Sequence, residues 1–75
     1  MPTVKRFNNC KIAIFPDHAP PHLHIMSSDG TDIAVDLATM AVSHSHARKF
    51  REALEWGKAN REMLMSIWST LNPKG

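Results

Sequence analysis

The diproline Pro20-Pro21, and the alternation that follows it, limit the fold of this chain more than any other stretch. A proline ring fixes φ and removes a backbone donor, so neither residue suits a helix interior. Each also pushes the residue before it towards extended geometry. From there His22, His24 and Met26 alternate with Leu23 and Ile25, which is the period of a strand with two faces. The run Asp17-His18-Ala19-Pro20-Pro21-His22-Leu23-His24 is therefore a stiff corner feeding a strand that carries a paired-imidazole face. Three of the five histidines fall within these seven positions, His18 to His24, so the chemistry of the chain concentrates here.

The flanking segments extend the strand reading. Thr3 to Phe7 and Cys10 to Phe15 are predicted strands joined by Asn8-Asn9, since Asn tolerates the left-handed geometry that a two-residue hairpin turn needs. That loop sets Phe7 opposite Cys10 and Lys5 opposite Ile12, with Cys10, Ile12 and Ile14 inward and Val4, Ala13 and Phe15 on the other face. His22 to Met26 and Thr31 to Leu37 form a second predicted hairpin. Residues directly opposite in an antiparallel pair share a face. Only an odd loop, Ser28-Asp29-Gly30, then pairs Leu23 with Val35 and Ile25 with Ile33, and it puts glycine where such a loop wants a left-handed residue. In this register His22 lies opposite Asp36, His24 opposite Ala34 and Met26 opposite Asp32, so Asp36 is expected to orient the His22 ring.

Met40-Ala41-Val42 reads either as a short fifth strand or as the approach to a helix. Ser45 is the expected N-cap of a helix from His46 to Ala59, with Ala47, Phe50, Ala53, Leu54 and Gly57 at helical spacing. Asn60 is expected to cap a second helix, Arg61 to Leu71, whose stripe is Leu64, Ile67, Trp68 and Leu71 and which Asn72-Pro73 ends. The resulting expectation is one α+β domain over residues 1–75: a four-stranded, mainly antiparallel sheet of two hairpins, with two C-terminal helices packed on one face. The histidine-bearing face is expected to stay open.

Composition narrows the function classes. At 75 residues the chain is near the lower limit for a self-sufficient core, which favours pairing with a second copy or with a protein partner. Its single cysteine, Cys10, excludes an internal disulfide and a cysteine-rich zinc site, so any metal must be held by His and Asp. No apolar run reaches membrane-spanning length and no signal-peptide pattern is present, so a cytoplasmic location without membrane contact is expected. The formal charge of +2 tolerates an acidic partner without requiring one.

Two chemistries suit the histidine block. His18, His22 and His24, with Asp17 or Asp36, offer the nitrogen and oxygen ligands of a divalent metal such as zinc. Alternatively, His22 and His24, aided by His18, can act as a paired acid and base on RNA without a metal. Arg6 and Lys11, facing each other on the first hairpin, would then stabilise developing negative charge. The plain reading of each group is structural: histidines bonding the proline loop, solvated surface cations, Trp56 and Trp68 as packing anchors, and Cys10 as a small buried hydrophobe. His44 and His46 flank a helix start, where the dipole disfavours a charged imidazole, and read as linker residues. Met63 and Met65 are candidates for an adaptable contact surface.

The opening Met1-Pro2-Thr3, the Asp17-His18-x-Pro20-Pro21-His22-x-His24 block and the later Leu54-Glu55-Trp56, Asn60-Arg61-Glu62 and Trp68 resemble a small bacterial family, domain of unknown function 4160. The resemblance covers most of the chain. It departs at Leu23, where members tend to carry an aromatic, and over Thr39 to His46, where members usually have a glycine-containing loop. The resemblance implies a genetic neighbourhood rather than a mechanism: members often sit beside a second small protein that carries a DNA-binding helix-turn-helix. That layout is similar to a toxin–antitoxin pair, with this chain as the toxin or as a cofolding partner of the cognate small protein.

Overall fold

The computed structural model describes residues 3–73. β1 (Thr3–Arg6), β2 (Cys10–Ala13), β3 (His22–Ser27) and β4 (Asp32–Asp36) form one antiparallel sheet in the order β1-β2-β3-β4. Three helices follow among the described residues: α1 (His44–Lys49), α2 (Arg51–Ala59) and α3 (Arg61–Leu71). The α+β class and the two hairpins are therefore as expected, whereas the helical part holds one more helix than the sequence pattern indicates.

Alternation set the register of the second hairpin. His22 pairs with Asp36, Leu23 with Val35, His24 with Ala34, Ile25 with Ile33 and Met26 with Asp32. Gly30 has φ +95, the left-handed geometry that the three-residue loop requires. The first hairpin pairs Lys5 with Ile12 and Arg6 with Lys11, as its two-residue turn dictates. It slips between Thr3 and Lys5, where Thr3 takes the place opposite Ala13. Val4 is the extra residue of this irregularity and packs against the core, not on the far face that strict alternation gives it. Pairing Ala13 with His24, β2 joins the hairpins.

One face of the sheet presents Ile12, Ile14, Leu23, Ile25, Val35 and Leu37, all with no exposed surface, to Phe50, Ala53, Leu54, Leu64 and Trp68 from the helical side. Leu23 and Met40 both lie close to Gly57, where an added Cβ would stand 2.7 Å from the Met40 Cε. The segment after β4 is a turn rather than a fifth strand: Met40 has φ +56 and is buried, and its N–H donates to the Asp36 carbonyl.

The helix start is at Ser43, not Ser45. The Ser43 Oγ accepts the His46 N–H, and Ser45 lies inside α1. The expected single helix divides at Phe50, whose ring is buried in the core and whose backbone leaves helical geometry at φ −112 and ψ 31. Tertiary packing of one aromatic thus overrides helical periodicity. Asn60 does precede α3, but its side chain donates to the Trp56 carbonyl and closes α2 instead of capping α3. Lys49, at the end of α1, pairs with Asp29 and donates to Thr31, tying the helical layer to the second hairpin turn. The Asp29 carboxyl is held far below its usual range, first by the Lys49 ammonium and then by Ser27 and Thr31.

Deleting a fully buried leucine from a sheet core costs roughly 2–5 kcal/mol. A domain of this size is stable by only about 4–11 kcal/mol. Leu23→Ala is therefore expected to remove a large part of the stability, read as a lowered urea midpoint with an unchanged slope. A midpoint equal to that of the wild type would contradict the packing described above.

Candidate functional site

The site lies where β3 leaves the proline corner. The loop of residues 14–21, with a cis Ala19–Pro20 peptide, leads from β2 to β3 and carries Asp17 over the first strand residue. The Nε2 of His22 stands 3.2 Å from the Asp17 Oδ2, and its Nδ1 is 2.8 Å from the Pro20 carbonyl oxygen. A carbonyl only accepts, so His22 Nδ1 carries the hydrogen and donates it. The Nδ1 of His24 is 3.2 Å from the Asp32 carboxylate, which by the same reasoning accepts from it. Both rings thus have Nδ1 engaged by an oxygen, and the Nε2 of His22 faces the Asp17 carboxylate.

One ligand atom each from Asp17, His22 and His24 lie within 4.8 Å of one another. Two ligands about 2.0 Å from a single tetrahedral zinc stand about 3.3 Å apart; the Asp17–His22 separation is 3.2 Å, and the whole cluster lies within 4.8 Å. The donor set, two neutral imidazoles and one carboxylate, is that of catalytic zinc and related divalent centres, which leave further positions for water or substrate. The oxygens on the two Nδ1 atoms are the usual supports of metal-bound histidines. Without a cation, the Nε2 lone pair of neutral His22 would face a carboxylate oxygen, so the contact calls for either a proton or a metal between them.

Several groups hold this geometry. The Asn72 side-chain oxygen accepts the Asp17 N–H at 2.8 Å, while its Nδ2 donates to the Trp68 carbonyl at 3.1 Å. The end of α3 therefore anchors the loop. The Trp68 ring lies 4.9 Å from the His22 ring, and Phe15 meets the His24 ring edge-on at 5.1 Å. The side chains of His22 and His24 are 16% and 23% exposed, so the histidine end of this sheet face is half-closed rather than open. The Asp17 carboxyl is held below its usual range, chiefly by the His18 main-chain N–H, with partial burial opposing and the His18 and His22 rings adding to the effect.

The other expected residues are placed as follows. His18 is 91% exposed, and its ring contacts the Asp17 Oδ1 at 2.8 Å, on the outside of the cluster. Asp36 is opposite His22 in register, yet its carboxylate accepts the Ala38 N–H at 2.7 Å in the turn after β4. It does not serve as the His22 partner, because a local turn takes its oxygen first. Arg6 and Lys11 face each other across the first hairpin, on the same sheet side as His24. His44 and His46 lie in α1, where the His46 ring is 6.1 Å from Phe50. The Cys10 thiol is pushed up by burial and then by Glu52, which disfavours a nucleophilic role. Asp32, Asn72, Trp68 and Phe15 had no site role in the sequence reading.

A sheet half-covered by helices, with a two-histidine, one-carboxylate cluster at a half-closed corner, defines a class of small α+β domain. More particularly, residues 9–69 match the family described as Domain of unknown function (DUF4160), and the chain belongs to that family. Neither the curated proteins nor the solved structures contain a significant match to it. No helix among the described residues is long and apolar enough to cross a membrane.

Asn72 touches none of the ligand atoms, so it acts as a positioning residue. Asn72→Ala is expected to speed hydrogen exchange at the Asp17 amide, whose acceptor it removes, while leaving the far-ultraviolet circular dichroism unchanged. Equal exchange in the variant would show that the loop holds Asp17 without it.

Proposed function

We propose that this domain binds one divalent metal ion such as zinc through Asp17, His22 and His24, and that this centre is its working site. The observation that carries the reading is the convergence of the three ligand groups with both imidazole Nδ1 atoms already occupied. Held by Asp17, His22 and His24, the ion would supply Lewis acidity to a water or phosphate oxygen. In the wider setting, the protein is a toxin-like component of a bacterial toxin–antitoxin-type module, paired with a cognate small protein and acting through this face on RNA. The two cations on the histidine side of the sheet favour a polyanionic partner such as RNA.

A metal-free reading rests on the same Asp17–His22 contact. A proton in place of the metal makes an imidazolium–carboxylate pair beside His24, which is the arrangement of an acid–base couple. His18, outside the cluster, would serve only to hold Asp17.

Titration calorimetry with zinc, nickel and manganese separates the two. Zinc is expected to bind at one ion per chain with micromolar or tighter affinity and to weaken at least 10-fold in Asp17→Asn, His22→Ala and His24→Ala. Its affinity should also fall as pH is lowered, because the ligands must shed protons to bind. No heat at micromolar zinc would dismiss the metal centre. Growth inhibition on expression should be lost in a folded His22→Ala/His24→Ala double variant, and inhibition of wild-type strength from that variant would remove the toxin-like reading.

A further inference from the structure

Strand register places two cations side by side at the opposite end of the histidine face. Arg6 on β1 is directly across from Lys11 on β2, and Lys11 is directly across from Met26 on β3. Parity puts all three on the side that carries His24, since Ala13, two residues after Lys11, pairs with His24. Like charges directly opposite in a sheet destabilise it. Among the described residues neither Arg6 nor Lys11 makes an ion pair. The carboxylate in the same cross-strand row, Asp32, lies beyond Met26 and is engaged by His24.

These cations border a cavity of about 330 Å³ at the hairpin end, lined also by Asn8, Asn9, Ser27 and Ser28 and by no acidic residue. Phe7, Cys10 and Met26 complete the lining. One guanidinium and one ammonium beside the amide and hydroxyl groups, with no carboxylate, make a receptor for an oxyanion. The row stands about 7 Å from the imidazole row, two residues along a strand. A stacked nucleotide strand rises about 3.4 Å per residue, so two nucleotide steps cover that distance. Phe15, at the far side of His24, adds an aromatic ring to the same track, and such rings serve as stacking surfaces for unpaired bases.

We infer that Arg6 and Lys11 form a phosphodiester subsite that holds a single-stranded RNA backbone about two nucleotides from the Asp17/His22/His24 centre. This inference rests on the RNA-directed reading of that centre and adds the residues that grip the substrate. It assigns the two cations to binding, so they position the strand and leave the metal ligands untouched.

The test is fluorescence anisotropy of a 5′-labelled octauridylate with the full chain, with and without zinc, at several salt concentrations. Arg6→Gln/Lys11→Gln removes both charges and leaves shorter, polar side chains. In the double variant, affinity at low salt is expected to fall at least 10-fold. The slope of log affinity against log salt should become shallower by about 1.4, the value for two lost phosphate contacts on a single strand. Zinc affinity by calorimetry should stay within twofold. RNA bound by both proteins with equal affinity and equal slope would overturn the subsite while leaving the RNA reading intact. No RNA binding by the wild type would overturn both. Competition by poly-glutamate as effective as by unlabelled octauridylate would redirect the cations to an acidic protein partner and overturn the assignment.

Discussion

The hydrogen bond from His22 Nδ1 to the Pro20 carbonyl is the contact on which the rest of the site depends. It fixes the turn of the ring and engages the Nδ1 hydrogen, so that Nε2 is the nitrogen that faces Asp17. The diproline makes this possible, because its stiff backbone brings a carbonyl back to a residue only two positions later. Asp32 does for His24 what Pro20 does for His22, and Asn72 holds the third ligand residue by its main chain. Each of the three donors is thus set by a different element: the proline corner, the neighbouring strand and the end of α3.

Magnitudes separate the two readings of the His22–Asp17 contact. An ion pair between partly exposed groups contributes about 1 kcal/mol or less. Binding one divalent ion with micromolar affinity is worth about 8 kcal/mol. A proton satisfies the His22–Asp17 contact alone, whereas the proposed metal would engage all three groups together. The aromatic walls matter here as well. Trp68 and Phe15 keep both rings half-buried, which lowers the local dielectric and limits the rotamers open to each imidazole.

Much of this was legible in the sequence because alternation is unforgiving. A slip of one residue in β3 would expose Leu23 and Ile25 and bury two imidazoles, so the register and the loop Ser28-Asp29-Gly30 follow from pattern alone. Asp17, His22 and His24 were likewise visible as a cluster around a rigid corner. The partners of those residues were not. Asp36 and Asp32 flank Ala34 diagonally from His24, and sequence cannot foresee that Ala38 claims the Asp36 carboxylate and leaves Asp32 to the ring. Asn72, 55 residues from Asp17, read only as a helix stop. Ser43 displaced Ser45 as a cap, and Phe50 split the helix, because burial of one aromatic outweighs a difference between two good capping residues.

The most direct measurement is the long-range proton–nitrogen correlation spectrum of the histidine rings at neutral pH, recorded before and after one equivalent of zinc. Nδ1–H tautomers are expected for His22 and His24, with their Nε2 resonances moving on zinc addition and those of His44 and His46 staying in place. Rings of His22 and His24 protonated at both nitrogens and unmoved by zinc would contradict it.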